Sequence, residues 1–293
     1  MATITWFGTG LMGSAFVEGL RRRGDDVTVW NRTPEKARAL ERFGARAERD
    51  PAVAASGVEQ IHLMLFDDES VDALLERITA SVDPGTVVVD HTTVAPAPTA
   101  ARAQRCAERG IAFVHAPVLM SPQGARDGAG SMIACGPAAP FERVEPELRR
   151  MTGELWYVGE RPDKAALLKL VGNGMLFFVS AGLADVYALA SDAGFETSEA
   201  FELFAHFNLK PGLEWRGKRM VEGDFSPAFE LSMARKDVRL IEQTASCGTQ
   251  PLHVLPAIAR RMDELLTQGH GSEDLAVLAV DTVSASAKPA GLG

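Results

Sequence analysis

The feature that most constrains this chain is a glycine loop set between a short apolar run and a helical one. Ile4–Phe7 reads as a strand, Gly8-Thr9-Gly10-Leu11-Met12-Gly13 follows directly, and Leu11–Arg22 has the apolar spacing of an amphipathic helix. In a strand–loop–helix unit the first glycine allows a tight turn and the second lets backbone approach a pyrophosphate. The third lets helix and strand pack closely, while the helix N-terminus faces the anion. A second strand, Val27–Trp30, follows, so the context that separates a dinucleotide loop from a plain glycine turn is present.

The end of that second strand bears on which dinucleotide fits. Asp or Glu is usual there when a free ribose 2′-hydroxyl is bound, whereas this chain reads Trp30-Asn31-Arg32-Thr33. An amide, a guanidinium and a hydroxyl can all donate to a 2′-phosphate, which an acid would repel. The expectation is therefore NADP, with NADPH preferred over NADH. Thr33 before Pro34 also reads as a helix N-cap, and the two roles are compatible.

Alternation continues through Gln60–Leu65, Val87–Asp90, Ala112–His115 and Ser131–Ala134 as strands. The helical stretches between are Pro34–Phe43, Ser70–Ala80 and Pro98–Arg109. That order predicts a parallel sheet with helices on both faces. From about Asp163 to Ala193 runs a helical stretch of roughly thirty residues, well beyond the ordinary length. Everything after it reads as helix, with breaks at Pro211-Gly212, Ser226-Pro227, Gly248 to Pro251 and Gly269 to Gly271. The fold class expected is α/β, with domains over 1–160 and 161–283 and a flexible small-residue tail over 284–293.

Composition narrows the function classes. A chain of 293 residues with 46% hydrophobic and 24% charged residues is globular and long enough for two domains. A net charge of −9 argues against nucleic acid as a partner. Arg21-Arg22-Arg23 reads as a solvated helix end. The three cysteines are far apart and the six histidines lack ligand spacing, so neither a disulfide framework nor a metal is expected, and the cytoplasm is the natural compartment. No signal peptide is read at the N-terminus. The apolar stretch Leu167–Leu189 is interrupted by Lys169, Asn173 and Asp185, so no membrane span is expected.

Lys169 and Asn173 share one face of the long helix. Gly172 and Gly174 beside them each cost about 1 kcal/mol relative to Ala, which points to close approach by something else. Apolar neighbours from Ala165 to Val171 give Lys169 a reason to lose proton affinity, as acid–base work requires.

At this point the chain resembles the β-hydroxyacid dehydrogenases, which include 3-hydroxyisobutyrate dehydrogenase and tartronate semialdehyde reductase. The resemblance runs from Ile4 to about Leu278. Gly8 to Ser14 matches the family's cofactor loop, including its Met-Gly pair, and Asp90-His91-Thr92-Thr93 its Asp-x-Ser-Thr segment. Ala116-Pro117-Val118 with Gly124-Ala125 and Gly128 matches the substrate stretch, and Lys169-Leu170-Val171-Gly172-Asn173 the catalytic Lys-x-x-x-Asn. Arg216-Gly217 through Lys236-Asp237 and Gly269-x-Gly271-x-x-Asp274 match its late signatures. The resemblance implies an N-terminal Rossmann parallel-sheet domain plus an all-α C-terminal domain joined by a long interdomain helix. It implies Lys169, Asn173 and Thr93 as catalytic residues. Cofactor contacts would come from Gly8, Thr9, Gly10, Leu11, Met12, Gly13, Asn31, Arg32, Thr33, Leu65, Phe66, Thr93 and Lys236. A small carbonyl or alcohol substrate and a homodimer or homotetramer through the helical domain are further implications.

One segment departs from the family. Where it writes Val-Ser-Gly-Gly to hold a substrate carboxylate, this chain has Val118-Leu119-Met120-Ser121-Pro122. The substrate-facing residues are then Leu119, Met120, Ser121, Lys169 and Asn173, bulkier and less polar than a glycine nest for an anion. A 3-hydroxyacid or semialdehyde-like substrate is the leading expectation. An imine reductase, or a promiscuous carbonyl reductase with an apolar pocket, is the alternative, although imine reductases usually carry Asp or Tyr in place of Lys169. A non-catalytic nucleotide-binding homologue is disfavoured because Lys169 is retained, and 6-phosphogluconate dehydrogenase because its helical part is much larger. His91 and His115 read as structural or as substrate contacts, Cys135 as packing, and Met12, Met120 and Met175 as cleft and core lining.

Overall fold

The computed structural model describes residues 3–245, 248 and 250–282, so the tail over 284–293 and Cys247 lie outside the described residues. Two compact units, Met1–Gly174 and Met175–Gly293, meet inside one helix.

The first unit is built on strands β1 (Thr3–Phe7), β2 (Asp26–Trp30), β3 (Arg46–Ala47), β4 (Gln60–Leu63), β5 (Val87–Asp90) and β6 (Ala112–His115). They form one parallel sheet in the order β3-β2-β1-β4-β5-β6, a doubly wound Rossmann sheet. The direction of winding reverses between β1 and β4, so a crevice for ligands opens at their carboxyl ends. Both faces are covered, which explains the unbroken valine run in β5. Val87 and Val89 enter one core with Trp6 and Phe16, while Val88 enters the other with Phe7, Ile61 and Leu63. Helices α1 (Leu11–Arg22), α2 (Pro34–Arg38), α3 (Pro51–Ala55), α4 (Asp68–Ile78) and α5 (Pro96–Glu108) make the crossovers. The stretch expected as one helix over Pro34–Phe43 is α2 followed by a 3-10 turn at Glu41–Phe43.

Ser131–Ala134 corrects the expected single sheet. It is β8 of a separate three-stranded sheet, antiparallel to β7 (Val118–Leu119) and parallel to β9 (Glu154–Tyr157). Two helices were not legible beside it: α6 (Pro122–Asp127), and α7 (Ala138–Met151), whose Pro140 and Pro146 conceal its periodicity. The Arg21–Arg23 run is also not simply solvated. The chain turns straight back into β2, so Arg21 donates to the Asp25 carbonyl, Arg22 pairs with Glu18, and burial lowers the Arg23 pKa.

Helix α8 (Lys164–Asp192) runs 29 residues and carries Lys169 and Asn173 in its opening part. By length and composition alone it could cross a membrane, with a mean hydropathy of 1.6 and only 6% of the relevant stretch buried. The second unit continues with α9 (Thr197–His206), α10 (Leu209–Glu222), α11 (Leu231–Ala245) and α12 (Leu255–Thr267). Its core joins Leu231, Ala234, Val238, Met262, Leu265 and Val277. The break expected at Pro211-Gly212 is absent. Pro211 sits in the first turn of α10, where a missing N–H leaves no helix bond unmade, and Asn208 caps the start.

Candidate active site

The glycine loop is built from backbone closeness. Gly8 has φ +95°, and a Cβ there would lie 2.2 Å from the Met64 carbonyl oxygen. A Cβ on Gly13 would fall 2.0 Å from the Gly8 carbonyl oxygen, whereas one on Gly10 would meet nothing within 4 Å. The loop is tight beneath and open above. Ser14 N–H makes the first α1 bond, to Gly10 O at 2.9 Å, so the N–H groups of Leu11, Met12 and Gly13 precede the helix ladder. Trp6 Nε1 donates to Gly8 O (3.1 Å) and Ser14 Oγ to Thr9 O (2.9 Å), fixing the loop from below. Thr9 Oγ1 is buried without a partner. Free amide donors, the positive end of α1 and an open approach fit the diphosphate of a dinucleotide. Met12 packs on the core beneath, and Leu11 projects outward, 76% exposed.

Asn31 is hydrogen-bonded within the protein. Its Oδ1 accepts from Thr9 N (3.1 Å) and its Nδ2 donates to Thr33 O (3.1 Å), so the amide braces the glycine loop instead of facing outward. Arg32 and Thr33 are exposed, and the Thr33 side chain makes no cap bond although Thr33 is the N-cap of α2. Arg32 lies near Asp67, whose carboxyl is held below its ordinary pKa by Ser70 first and by Arg32 least. Leu65 N donates to Thr92 Oγ1 (3.0 Å), and Phe66 is 89% exposed. Thr92 is buried and Thr93, next to it, is exposed.

Lys169 Nζ donates to Asn173 Oδ1 at 2.9 Å, and burial alone lowers the lysine pKa. A Cβ on Gly172 would lie 3.2 Å from Leu119 Cδ2, so the leucine side chain rests on the helix between these two residues. Met120 packs over Gly130. Ser121 Oγ accepts from Gly124 N (3.1 Å) as N-cap of α6, and Pro122 has no N–H. With Gly124 N and Ala125 N both bonded to Ser121 and Pro122 lacking an N–H, the short helix start offers a carboxylate no run of adjacent amides.

In the second unit, Lys236 lies on α11, half-exposed and paired with Asp237 at 2.8 Å. The late signature residues form a brace within that unit. Buried Asp274 accepts from the N–H groups of Ala228 (3.2 Å), Phe229 (2.9 Å) and Ala276 (2.9 Å), fixing the turn before α11.

Neither singled-out histidine reaches the surface: His91 and His115 are both 1% exposed. His91 is fully bonded, whereas His115 has no partner on either nitrogen and lies 3.8 Å from Asp90 Oδ2. Cys135 Sγ contacts Pro162 O and accepts from Ala165 N, anchoring the start of α8. Among the described residues no group of three or more His, Cys, Asp or Glu could hold a metal. The sequence gives no sign of the contacts made by Trp6, Gln60 and His62. Only a polar ring inside an apolar strand, as at His62, could have signalled them.

Residues 3–159 match the family described as the NAD binding domain of 6-phosphogluconate dehydrogenase. Residues 164–280 match the family described as NAD-binding of NADP-dependent 3-hydroxyisobutyrate dehydrogenase, which fits the short helical half. The chain belongs to the β-hydroxyacid dehydrogenase family. It is thus an NAD(P)-dependent oxidoreductase of the dehydrogenase/reductase type acting on CH–OH groups. The glyoxylate/succinic semialdehyde reductase 2 of Arabidopsis thaliana is 28% identical, over 94% of this chain and 78% of that one. An uncharacterized oxidoreductase of Bacillus subtilis, YfjR, is also 28% identical, over 94% and 98% respectively. Among solved structures, an imine reductase from Streptomyces aurantiacus superposes with a TM-score of 0.86 at 26% identity, over 96% of this chain and 99% of that one.

Proposed function

We propose that this β-hydroxyacid dehydrogenase is an NADP(H)-dependent reductase of a small carbonyl compound, with Lys169 as the proton donor in the reductive direction. The observation that carries the reading is the Lys169–Asn173 pair on α8, 2.9 Å apart, with the ammonium partly desolvated. A lysine whose pKa falls towards the working pH gives up its proton more readily. Because Asn173 accepts from Lys169 through Oδ1, its Nδ2 is free to donate to the same substrate oxygen and stabilise developing negative charge. When bound, a nicotinamide cofactor supplies or takes up the hydride. Thr93 orients the substrate against it. The 2′-phosphate preference rests on the exposed Arg32 guanidinium and the unengaged Thr33 hydroxyl, with no acid on these two residues. Lys236 of the helical unit is assigned to the cofactor on the family resemblance.

The test combines a panel with a variant. NADPH absorbance is followed with semialdehydes, keto acids, neutral aldehydes and ketones, and cyclic imines. For any compound turned over, Lys169→Ala is expected to lower kcat roughly a hundredfold with NADPH affinity nearly unchanged. A loss of only a few-fold would remove Lys169 from the chemistry.

A second reading concerns the substrate. Leu119 lying on Gly172, and the self-capped start of α6, favour a neutral carbonyl or imine over a 3-hydroxyacid or semialdehyde acid. Turnover of neutral compounds but not of their carboxylate analogues supports it, and the reverse order rejects it.

A homo-oligomer is part of the same proposal. Leu176, Phe177, Phe178, Phe201, Leu213 and Trp215 of α8–α10 are each at least 46% exposed. An apolar surface of that extent calls for a cover, and a second copy provides one. A bilayer suits it poorly, because Asp185 of α8 accepts from the N–H groups of His253, Val254 and Leu255 and would carry that loop with it. Light scattering is expected to give at least twice the chain mass; a monomer would refute this.

A further inference from the structure

Beneath the glycine loop lies a buried ring stack whose two histidines none of the roles above uses. Trp6 on β1, His62 on β4 and His91 just past β5 are each at most 1% exposed. Trp6 and His62 face each other across adjacent strands, with ring centroids 5.2 Å apart and planes at 7°. His91 lies 5.3 Å from Trp6 at 9°, and Phe16 of α1 flanks both. Burial disfavours the charged form, so His62 is held well below its ordinary pKa and His91 at about 4. Both rings are neutral near pH 7.

Neutral rings allow only one arrangement of protons. His91 Nδ1 lies 2.7 Å from Ala116 O, which can only accept, so His91 carries its proton on Nδ1. Its Nε2 is then a bare acceptor, 2.9 Å from His62 Nδ1, which must donate. That leaves His62 Nε2 bare, 3.1 Å from the Gln60 side-chain atom placed as Oε1; two acceptors cannot bond, so the amide is assigned the other way round, with its NH2 group at that position. The result is a one-way chain of three donations, from Gln60 through His62 and His91 to the Ala116 carbonyl.

Ala116 is where the chain leaves β6 for β7 and thereby delivers Leu119 to Ser121. The same locality joins the other loops at this edge of the sheet. Ala116 N donates to Asp90 O (2.7 Å), His91 N to Leu63 O (2.8 Å), and Leu65 N to Thr92 Oγ1 (3.0 Å). Leu119 in turn rests on Gly172, between Lys169 and Asn173.

We propose that His91 is a positioning residue for the reaction. Locked as its Nδ1–H tautomer by His62 and Gln60, it holds the Ala116 carbonyl and so sets where Leu119–Ser121 stand beside Lys169 and Asn173. This rests on reading Leu119–Ser121 as substrate-facing. A purely structural ring would serve as well as phenylalanine.

The first test needs no substrate. Long-range 1H–15N spectra of the full chain at pH 7 should show both His62 and His91 protonated on Nδ1, the tautomer that a neutral histidine disfavours in water. Protonation of His91 on Nε2 overturns the proposal. The second uses His91→Phe, which keeps a ring in the stack and removes both bonds. Amide exchange over residues 118–121 should accelerate roughly tenfold or more while β1 and β4 stay protected. His91→Gln, which restores a donor, should bring exchange back towards the wild-type rate. Exchange that rises across the whole sheet, or nowhere, overturns the proposal. With a compound that is turned over, His91→Phe should lower kcat/KM about ten- to a hundredfold while the NADPH Kd stays within about twofold. An equal loss of NADPH affinity also overturns it. Should the wild type consume no cofactor on any compound, the functional reading falls. The tautomer and exchange measurements then still decide whether His91 places this segment. If His91→Phe fails to fold, the wild-type tautomer and the His91→Gln exchange pattern decide.

Discussion

Gly10 and Gly13, three residues apart in one loop, should answer differently to the same added methyl. In Gly13→Ala the new Cβ would stand 2.0 Å from Gly8 O and 2.9 Å from Trp6 Nε1, the indole that already holds that carbonyl. Real Cβ atoms do not approach closer than about 3.0 Å, so the loop or α1 must move by about 1 Å. Overpacking of this kind costs about 1–3 kcal/mol, or roughly 2–12 °C in Tm for a chain of this size. A shift of about 1 Å also takes the N–H groups of Leu11, Met12 and Gly13 out of hydrogen-bond range of a phosphate. Loss of one charge-assisted bond, at about 1.5–3 kcal/mol, weakens binding roughly 10- to 150-fold. Gly10→Ala is the control. Its Cβ meets nothing within 4 Å, so the fold loses only the cap preference, about 0.5–1 kcal/mol. The methyl projects instead into the space a diphosphate would take. Tm by calorimetry and NADPH Kd by fluorescence separate the cases: Gly13→Ala should lose both, Gly10→Ala mainly affinity. Wild-type affinity in both variants would refute the placement of the diphosphate on this loop.

Arg32→Glu should lower the NADPH-to-NADH preference by at least about tenfold in Kd ratio, since it replaces an attracting charge by a repelling one; an unchanged ratio would remove Arg32 from cofactor choice. Leu119→Ser should raise kcat/KM for carboxylate-bearing aldehydes relative to their neutral analogues, and no change would show that this position does not face the substrate. Acid should destabilise the protein through its buried imidazoles. His91 at about 4 and His115 at about 3 stay neutral when folded, while their unfolded forms take up protons below about 6.5. Stability from each is therefore full above pH 6.5 and is lost as pH falls towards the folded value, at about 1.4 kcal/mol per pH unit. Asp90, raised to about 6 by burial, opposes this trend because its folded form gains a proton first. His91→Phe should accordingly flatten the urea-midpoint profile between pH 6.5 and 4 by about one proton, and an unaltered slope would show that His91 is not buried neutral.

Much of the first unit was legible because its signals are local. A strand ending in Gly8, a helix start at Leu11 and the Thr33-Pro34 cap each follow from the backbone needs of a few adjacent residues. Long-range pairing was not legible. Ser131–Ala134 has the same β-type composition as the strands before it, and only its partners Val118–Leu119 and Glu154–Tyr157 put it in a second sheet. Pro211 does not break α10 because proline's effect depends on its distance from the helix start, which is set by Asn208. The hydrogen bonds of Asn31 and Ser121 were not legible for another reason. Each side chain can face a ligand or bond its own backbone, and the nearby loop decides which.

By itself the sequence determined the doubly wound fold, the glycine loop, the long helix and the Lys169–Asn173 pair, since periodicity and a four-residue helical spacing suffice for these. Only the tertiary structure decided that Asn31 braces the loop, that Leu119 lies against Gly172, and that Gln60, His62 and His91 form one chain of donors ending at Ala116. The physical reason is that burial and proton placement belong to no residue alone. An imidazole's charge and tautomer are set by the groups packed around it, and those come from strands that only the folded sheet brings together.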